Sequence, residues 1–193
     1  LTQHNIVYRQ ALLGQALRGR RDKVVICTKF GITVPQVSLP ARLVRPVARK
    51  IVAAFPGLRR AASRARPTGT RVPIEPAAIE GSVTRSLRLL GTDYVDVLAV
   101  HEPTPLEAAS PEIFDVLRRL VERGMVRAVS IAGDPESIEA AVRPDRPIDI
   151  AQFPDTPLTA TAAALRARLS APVPMFVTHG VFGSGVTQAL ADM

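Results

Sequence analysis

Five short apolar runs alternate with longer segments of helical period, and this alternation constrains the fold of the 193-residue chain more than any other feature. A repeated strand-then-helix order is typical of a parallel sheet covered by helices. Most of the runs lack a regular alternation of polar and apolar residues, as expected for strands packed on both faces. The predicted strands are KVVICT (23–28), YVDVLAV (94–100), MVRAVSIA (125–132), IDIAQF (148–153) and VPMFVT (173–178).

The segments between these strands carry helix start and stop signals. In SPEIFDVLRRLVERG, Ser110 is a suitable N-cap, and the apolar stripe that follows it ends at Gly124. Asp134 gives a similar start signal, and Gly91 ends a segment with apolar residues at helical spacing. An opening helix is predicted over about 7–17.

One connection, 32–76, is far longer than the typical βα loop of about two to six residues. Within it, 41–71 contains nine basic residues and no acidic one, and subtracting these nine charges from the total of +8 leaves −1 for the rest of the chain. We interpret 32–76 as a basic insertion within a single domain that covers 1–193. It also contains an amphipathic helix candidate, Leu43 to Phe55.

This local charge leaves open the binding of nucleic acid or of an acidic surface through 41–71. Phe55 is the one aromatic residue among the arginines, which argues against a surface that stacks bases. No apolar run approaches the roughly 20 residues that span a bilayer, so we expect a cytoplasmic protein without a transmembrane segment. Cys27 is the single cysteine, which excludes a disulfide framework, and we expect a buried packing position for it. We assign no metal ligands.

Polar residues follow two of the predicted strands directly. Lys29 follows VVICT, and His101 follows YVDVLAV. Because the carboxyl ends of parallel strands meet at one edge of a sheet, we expect both side chains at the same rim. An ammonium group there could lower the pKa of a nearby acid, and an imidazole could bind a carbonyl oxygen. On spacing alone the alternative stays open that Lys29 extends into solvent and His101 caps its strand.

Four motifs resemble one known family in their order and spacing: RRDKVVICTKFG, SLRLLGTDYVDVLAVHEP, LVERGMVRAVSIAG and IDIAQF. They are similar to the aldo/keto reductases, NAD(P)H-dependent enzymes built on a TIM barrel. The resemblance extends from about residue 12 to residue 185. It implies an α/β fold that is an incomplete (β/α)8 TIM barrel, with about strands 3 to 7, their helices and the basic insertion after strand 3.

The resemblance also assigns site residues. It implies that Lys29 lowers the pKa of a catalytic tyrosine, that His101 orients the substrate carbonyl, and that Gln152 contacts the nicotinamide carboxamide of NADP. Thr178 and His179 fall near the family's cofactor-stacking position. The Ser-Asn pair that usually follows strand 5 is replaced by Ala132-Gly133, so we expect weak cofactor binding.

The family's catalytic Asp and Tyr belong to strand 2, and the resemblance begins here at about strand 3. We expect Tyr8 to be helical and Tyr94 to lie at the opposite end of its strand from His101, so neither matches the proton donor. Two functions therefore remain open. One is NAD(P)H-dependent reduction of an aldehyde or ketone, a small carbonyl substrate. The other is a catalytically inactive relative that acts as an interaction or anion-binding module, with self-association through open barrel edges.

Overall fold

The computed structural model describes residues 2–33, 70–146, 148–170 and 172–182, and its main feature is a five-stranded parallel sheet. Its strands are β1 (Cys27–Phe30), β4 (Val95–His101), β5 (Val126–Ala132), β6 (Ile150–Pro154) and β7 (Met175–His179). Two short strands, β2 (Ile32–Thr33) and β3 (Thr70–Arg71), lie between β1 and β4 in the chain and form a separate pair. The strands of the five-stranded sheet lie in the order β1-β4-β5-β6-β7, so each strand pairs with the next strand of this set along the chain. This order is that of a β/α barrel. The predicted parallel α/β fold is confirmed.

Helices lie before and between the strands, and two of them, Pro105–Ala108 and Thr161–Arg168, are not predicted by the sequence. In the described residues they are α1 (Thr2–Ala16), α2 (Pro76–Leu90), α3 (Pro105–Ala108), α4 (Pro111–Glu122), α5 (Pro135–Ala141) and α6 (Thr161–Arg168). Ser110 caps α4, because its hydroxyl accepts a hydrogen bond from the backbone N–H of Ile113 at 3.3 Å. Gly91 ends α2 in the left-handed region that glycine adopts easily, with a φ of 65°. Asp134 precedes α5 without making a side-chain capping bond.

Every predicted strand differs from the structure by at least one residue at one boundary, and two predicted element starts are wrong by four or more residues. The first strand begins at Cys27 rather than at Lys23, because Arg21–Lys23 forms a 3-10 turn. The Arg21 side chain holds this turn by donating hydrogen bonds to Val24 O at 3.1 Å and to Thr92 Oγ1 at 3.1 Å. β1 also ends at Phe30 rather than at Thr28, and β4 ends at His101 rather than at Val100, so Lys29 and His101 lie within their strands and do not follow them. The opening helix begins at Thr2, five residues before the predicted start.

The two faces of the sheet differ in what covers them. One face packs against the helices, and we call it the helix face; its buried residues include Leu98, Val100, Ile131 and Phe153. We call the other face the open face. The strand register places on it the polar residues Cys27, Lys29, His101, Ser130, Gln152 and His179 and the apolar residues Val97, Ala99, Ala128, Ala132, Ile150, Pro154, Met175 and Val177. At both ends of the sheet the open face is exposed, with Cys27 on β1 and Met175 on β7 both accessible.

The two ends of the predicted insertion lie side by side. The strand β2 (Ile32–Thr33) pairs antiparallel with β3 (Thr70–Arg71), so the chain leaves the sheet region and returns to it at one place. The predicted helix from Leu43 to Phe55 and most of the basic residues of 41–71 lie outside the described residues. Of the helices within the described ranges, none is long and apolar enough to cross a membrane.

An ion-pair cluster joins the amino-terminal ends of β1, β4 and β5. Asp96 accepts a hydrogen bond from the backbone N–H of Ile26 at 2.8 Å, and its carboxylate lies 2.7 Å from Arg21 and 3.3 Å from Arg127. The guanidinium carbons of both arginines lie over the Tyr94 ring, 4.0 and 3.8 Å from its centroid. This cluster lies at the end of the sheet opposite to His101.

Gly14 allows α1 to approach the carboxyl end of α2 closely. A Cβ here would collide with the backbone oxygen of Leu90 and lie 2.6 Å from its carbonyl carbon. We expect Gly14→Ala to lower the free energy of unfolding by about 1 to 3 kcal/mol, since backbone atoms cannot rotate away. Gly81→Ala is the matched control, because a Cβ on this α2 glycine meets nothing within 4 Å. Its expected effect in urea unfolding is a gain of up to about 1 kcal/mol. Equal stability of Gly14→Ala and wild type would contradict this packing.

Candidate functional site

The strand register places Lys29, His101 and Gln152 on the open face. Lys29 pairs with Ala99, two residues before His101, and His101 and Gln152 each pair with Ala132. In parallel strands, paired residues share a face, and so do residues two apart. All three polar side chains therefore lie on one face, towards the carboxyl ends of neighbouring strands.

The register separates the other two predicted site residues. Thr178 pairs with Phe153, a fully buried residue of the helix face, so Thr178 lies on that side of the sheet. His179 pairs with Pro154 and lies on the open face with His101 and Gln152. Four of the five predicted residues thus share the open face, and Thr178 does not.

His101 is half-buried at the end of β4, and its pKa lies below the ordinary value of 6.5. The largest cause is burial, which disfavours the charged imidazolium. The positive charge of Lys29 lowers the pKa further, as does His179, while the negative charge of Glu102 opposes them. His101 is consequently uncharged at neutral pH, and its imidazole can donate one hydrogen bond and accept another.

We expect the pKa of His101 to rise when the neighbouring charge of Lys29 is removed. NMR titration of the Lys29→Met variant measures this shift, and Lys23→Met is the control because Lys23 lies in the turn before β1. The folded pKa of His101 is below that of the unfolded chain. Its contribution to stability is therefore present above about pH 6.5 and is lost as the pH falls towards the folded pKa. An unchanged titration in Lys29→Met would show that the two side chains do not interact.

Gln152 is held by two side chains of the open face. Its Nε2 donates a hydrogen bond to Ser130 Oγ at 3.0 Å and contacts Cys27 Sγ at 3.6 Å. The prediction that Cys27 is buried is wrong, because the residue faces the open side of a strand at the edge of the described sheet. Ser130 is a small residue within an apolar run, and nothing in the sequence distinguishes it.

The backbone next to His101 has two unusual conformations. Glu102 has a φ of 50°, uncommon for a residue with a side chain, and its N–H donates a hydrogen bond to Ala132 O at 2.6 Å. Gly31 has a φ of 110°, and a Cβ on it would lie 2.7 Å from the carbonyl oxygen of His101. The glycine after TKF was the available sequence signal, since a conformation of this kind requires glycine.

The two tyrosines lie where the sequence places them. Tyr8 lies within α1, and Tyr94 directly precedes β4. Seven residue steps of about 3.3 Å each lead from Tyr94 to His101, a distance of about 23 Å. Tyr94 therefore cannot donate a proton to a group bound beside His101.

A parallel strand-helix repeat with Lys29, His101 and Gln152 on one face defines a protein of the β/α-barrel class. Residues 7–169 match the sequence profile of the aldo/keto reductase family. The chain belongs to that family. Among curated proteins it is similar to 6-dehydroglucose reductase from Agrobacterium fabrum, with 33% identity over 126 residues, which are 64% of this chain and 34% of that protein.

Solved structures show the same fold. An aldo-keto reductase from Bacillus halodurans, in its holo form, superposes with a TM-score of 0.55 at 19% identity, over 91% of this chain and 49% of that one. Glycerol dehydrogenase from Gluconobacter oxydans superposes with a TM-score of 0.55 at 19% identity, over 89% of this chain and 44% of that one. The chain thus spans about a third of the curated relative and less than half of these two structures.

Proposed function

We propose that the chain contributes to an NADPH-dependent oxidoreductase that reduces the carbonyl group of an aldehyde or ketone. The observation that carries this proposal is the arrangement of Lys29, His101 and Gln152 on the open face, with the imidazole uncharged. The curated relative named above is a reductase, and 6-dehydroglucose belongs to the class of small carbonyl compounds proposed here as substrates.

The described residues suit distinct tasks in this reaction. The neutral imidazole of His101 donates a hydrogen bond to the substrate carbonyl and orients it. The ammonium group of Lys29 favours the anionic form of an acid placed next to it, which lowers the pKa of that acid. NADPH, when bound, supplies the hydride. The proton donor is assigned to no described residue.

The open face fits the nicotinamide end of the cofactor. Ala99, Ser130 and Ala132 are small and buried, and together they form a floor without protruding side chains beside the amide of Gln152. Side-chain hydrogen bonds to the cofactor are usual at this position in the family, but Ala132 and Gly133 can offer only their backbone groups. This difference supports weak binding of NADP.

We expect NADPH to bind with a Kd of about 0.1 to 1 mM and to shift the NMR signals of His101 and the Gln152 side-chain amide. Gln152→Leu removes one hydrogen bond and should weaken binding about fivefold. Gln10→Leu is the matched control, because Gln10 also donates a hydrogen bond to a serine, Ser86 Oγ, at 3.1 Å, but lies in α1. If 10 mM NADPH leaves both signals unmoved, the cofactor proposal is wrong.

A second candidate function, association between copies of this chain, is favoured by the exposed apolar side chains near the ends of the sheet. Val25 is 78% exposed, Met175 60% and Val177 43%. In the described sheet β1 and β7 are the outer strands, and an outer strand presents unpaired backbone groups that can pair with another chain. The inactive interaction module would use these same edges.

We expect wild type to sediment as a dimer or larger species and Val177→Lys to shift the distribution towards monomer. A charge on the open face of β7 should oppose the pairing of two copies there. Thr84→Lys, on the exposed surface of α2, is the control, because it adds the same single charge. A stable wild-type monomer with a cooperative melt would contradict the association.

A further inference from the structure

Ser130 carries a buried hydroxyl group on the open face, within hydrogen-bond distance of the amide of Gln152. The residue is fully buried at the centre of β5, with an exposed fraction of 0%. Its Oγ accepts a hydrogen bond from Gln152 Nε2 at 3.0 Å and donates one to the carbonyl oxygen of Ile131 at 3.5 Å. The hydroxyl hydrogen of Ser130 thus points to the backbone, and a lone pair on its oxygen accepts the amide hydrogen of Gln152.

Two contacts occupy the amide nitrogen of Gln152. A primary amide nitrogen carries two hydrogens. One is donated to Ser130 Oγ, and Cys27 Sγ lies 3.6 Å from the same nitrogen as a weak acceptor. Within the part of the chain that the structure describes, no group donates a hydrogen bond to Gln152 Oε1. Among the described residues, the amide therefore has its nitrogen fixed and its oxygen available.

We infer that Ser130 is a positioning residue that acts through Gln152. Its hydroxyl holds the amide nitrogen against the floor of the open face, so that a ligand bound there meets the amide oxygen. The site then favours a ligand group that donates a hydrogen bond over one that accepts. This inference rests on the proposed function, in which that group is the carboxamide N–H2 of NADPH.

The first test examines the amide itself and needs no ligand. In wild type, the two side-chain N–H signals of Gln152 should exchange slowly with solvent, because both hydrogens have acceptors. Ser130→Ala should speed this exchange at least about fivefold, the change expected when one hydrogen bond worth about 1 kcal/mol is lost. Ser86→Ala is the matched control, since it should change the amide signals of Gln10 and leave those of Gln152 unchanged. Unchanged exchange at Gln152 in Ser130→Ala would overturn the inference.

The second test separates positioning from general loss of structure. Ser130→Ala should weaken NADPH binding about two- to fivefold, no more than the loss expected for Gln152→Leu, because it acts through the same amide. It should change binding of the analogue with an acetyl group in place of the carboxamide by less than about twofold, because that group has no N–H to donate. Equal losses for both ligands would show a structural effect alone and overturn the inference.

A double variant tests whether Ser130 affects NADPH binding through Gln152. If Ser130 acts through Gln152, Ser130→Ala combined with Gln152→Leu should bind NADPH no more weakly than Gln152→Leu alone. Additive losses would contradict this path. If wild type binds no NADPH, the proposed function fails, while the exchange measurement still decides whether Ser130 positions the amide.

Discussion

Asp96→Ala should lower the free energy of unfolding by about 3 kcal/mol. The variant leaves the backbone N–H of Ile26 without its acceptor and leaves Arg21, whose side chain is 18% exposed, without its carboxylate partner. Ile26 is buried, so the loss of the acceptor for its N–H costs about 1 to 3 kcal/mol. Breaking the partly buried ion pair adds about 1 kcal/mol, less than the roughly 3 to 5 kcal/mol of a fully buried pair, because Arg21 keeps its hydrogen bonds to Val24, Thr92 and Tyr94. Since Arg127 is 60% exposed, its lost contact should contribute little. Urea unfolding monitored by circular dichroism measures the difference.

Asp115→Ala is the matched control for this ion pair. Asp115 also pairs with an arginine, Arg118 at 2.7 Å, but both side chains are more than half exposed, 54% and 59%. Exposed pairs of this kind contribute about 0.3 to 0.5 kcal/mol. Similar losses from Asp96→Ala and Asp115→Ala would show that the cluster at the amino-terminal ends of the strands does not stabilise the sheet.

The contribution of Asp96 should also depend on pH. Burial by itself would raise the pKa of Asp96, but the hydrogen bond from Ile26, the hydrogen bond and charge of Arg21 and the charge of Arg127 outweigh it and hold the pKa below 3.8. A lowered folded pKa stabilises the protein above the unfolded value. The stability difference between wild type and Asp96→Asn should thus be constant above about pH 4 and shrink as the pH falls through the folded pKa of Asp96.

The order of strands and helices could be predicted because it depends on local patterns. Short apolar runs gave the five strands, and capping residues such as Ser110 and Gly91 gave helix ends. The start of β1 could not be predicted, because Arg21 bonds to Thr92 and to Asp96, over 70 positions away in the chain. The helix α6 gave no signal because a single residue in it, Leu165, is buried.

The sequence predicts the positions of site residues that lie near strand ends. It does not predict positions that depend on the pairing register of the strands. Lys29 and His101 lie near the carboxyl ends of adjacent parallel strands, so their common face follows from the repeat. The separation of Thr178 from His179 depends on the pairing of β7 with β6, and a shift of one residue would exchange their faces. Ser130 acquires its partner from a strand 22 residues away, which no local pattern shows.

Gly31→Ala should destabilise the protein by about 4 kcal/mol and disturb the surroundings of His101. Two costs add at this position. A φ of 110° is strained for any residue with a Cβ, at about 1 to 3 kcal/mol. The new Cβ would also lie 2.7 Å from the carbonyl oxygen of His101, and a misfit of this kind costs about a further 1 to 3 kcal/mol. Because the atom that it meets is backbone, relief requires β1 or the end of β4 to move.

Gly19→Ala separates these two costs. Gly19 also has a positive φ, 69°, but a Cβ there would meet nothing within 4 Å. Its expected loss is about 1 to 2 kcal/mol from backbone strain alone, with the His101 signals unchanged. In Gly31→Ala, the chemical shifts and pKa of His101 should change together with stability, since the end of β4 must adjust. If Gly31→Ala loses no more stability than Gly19→Ala and leaves His101 unaltered, then the close approach between Gly31 and His101 does not determine the geometry of the site.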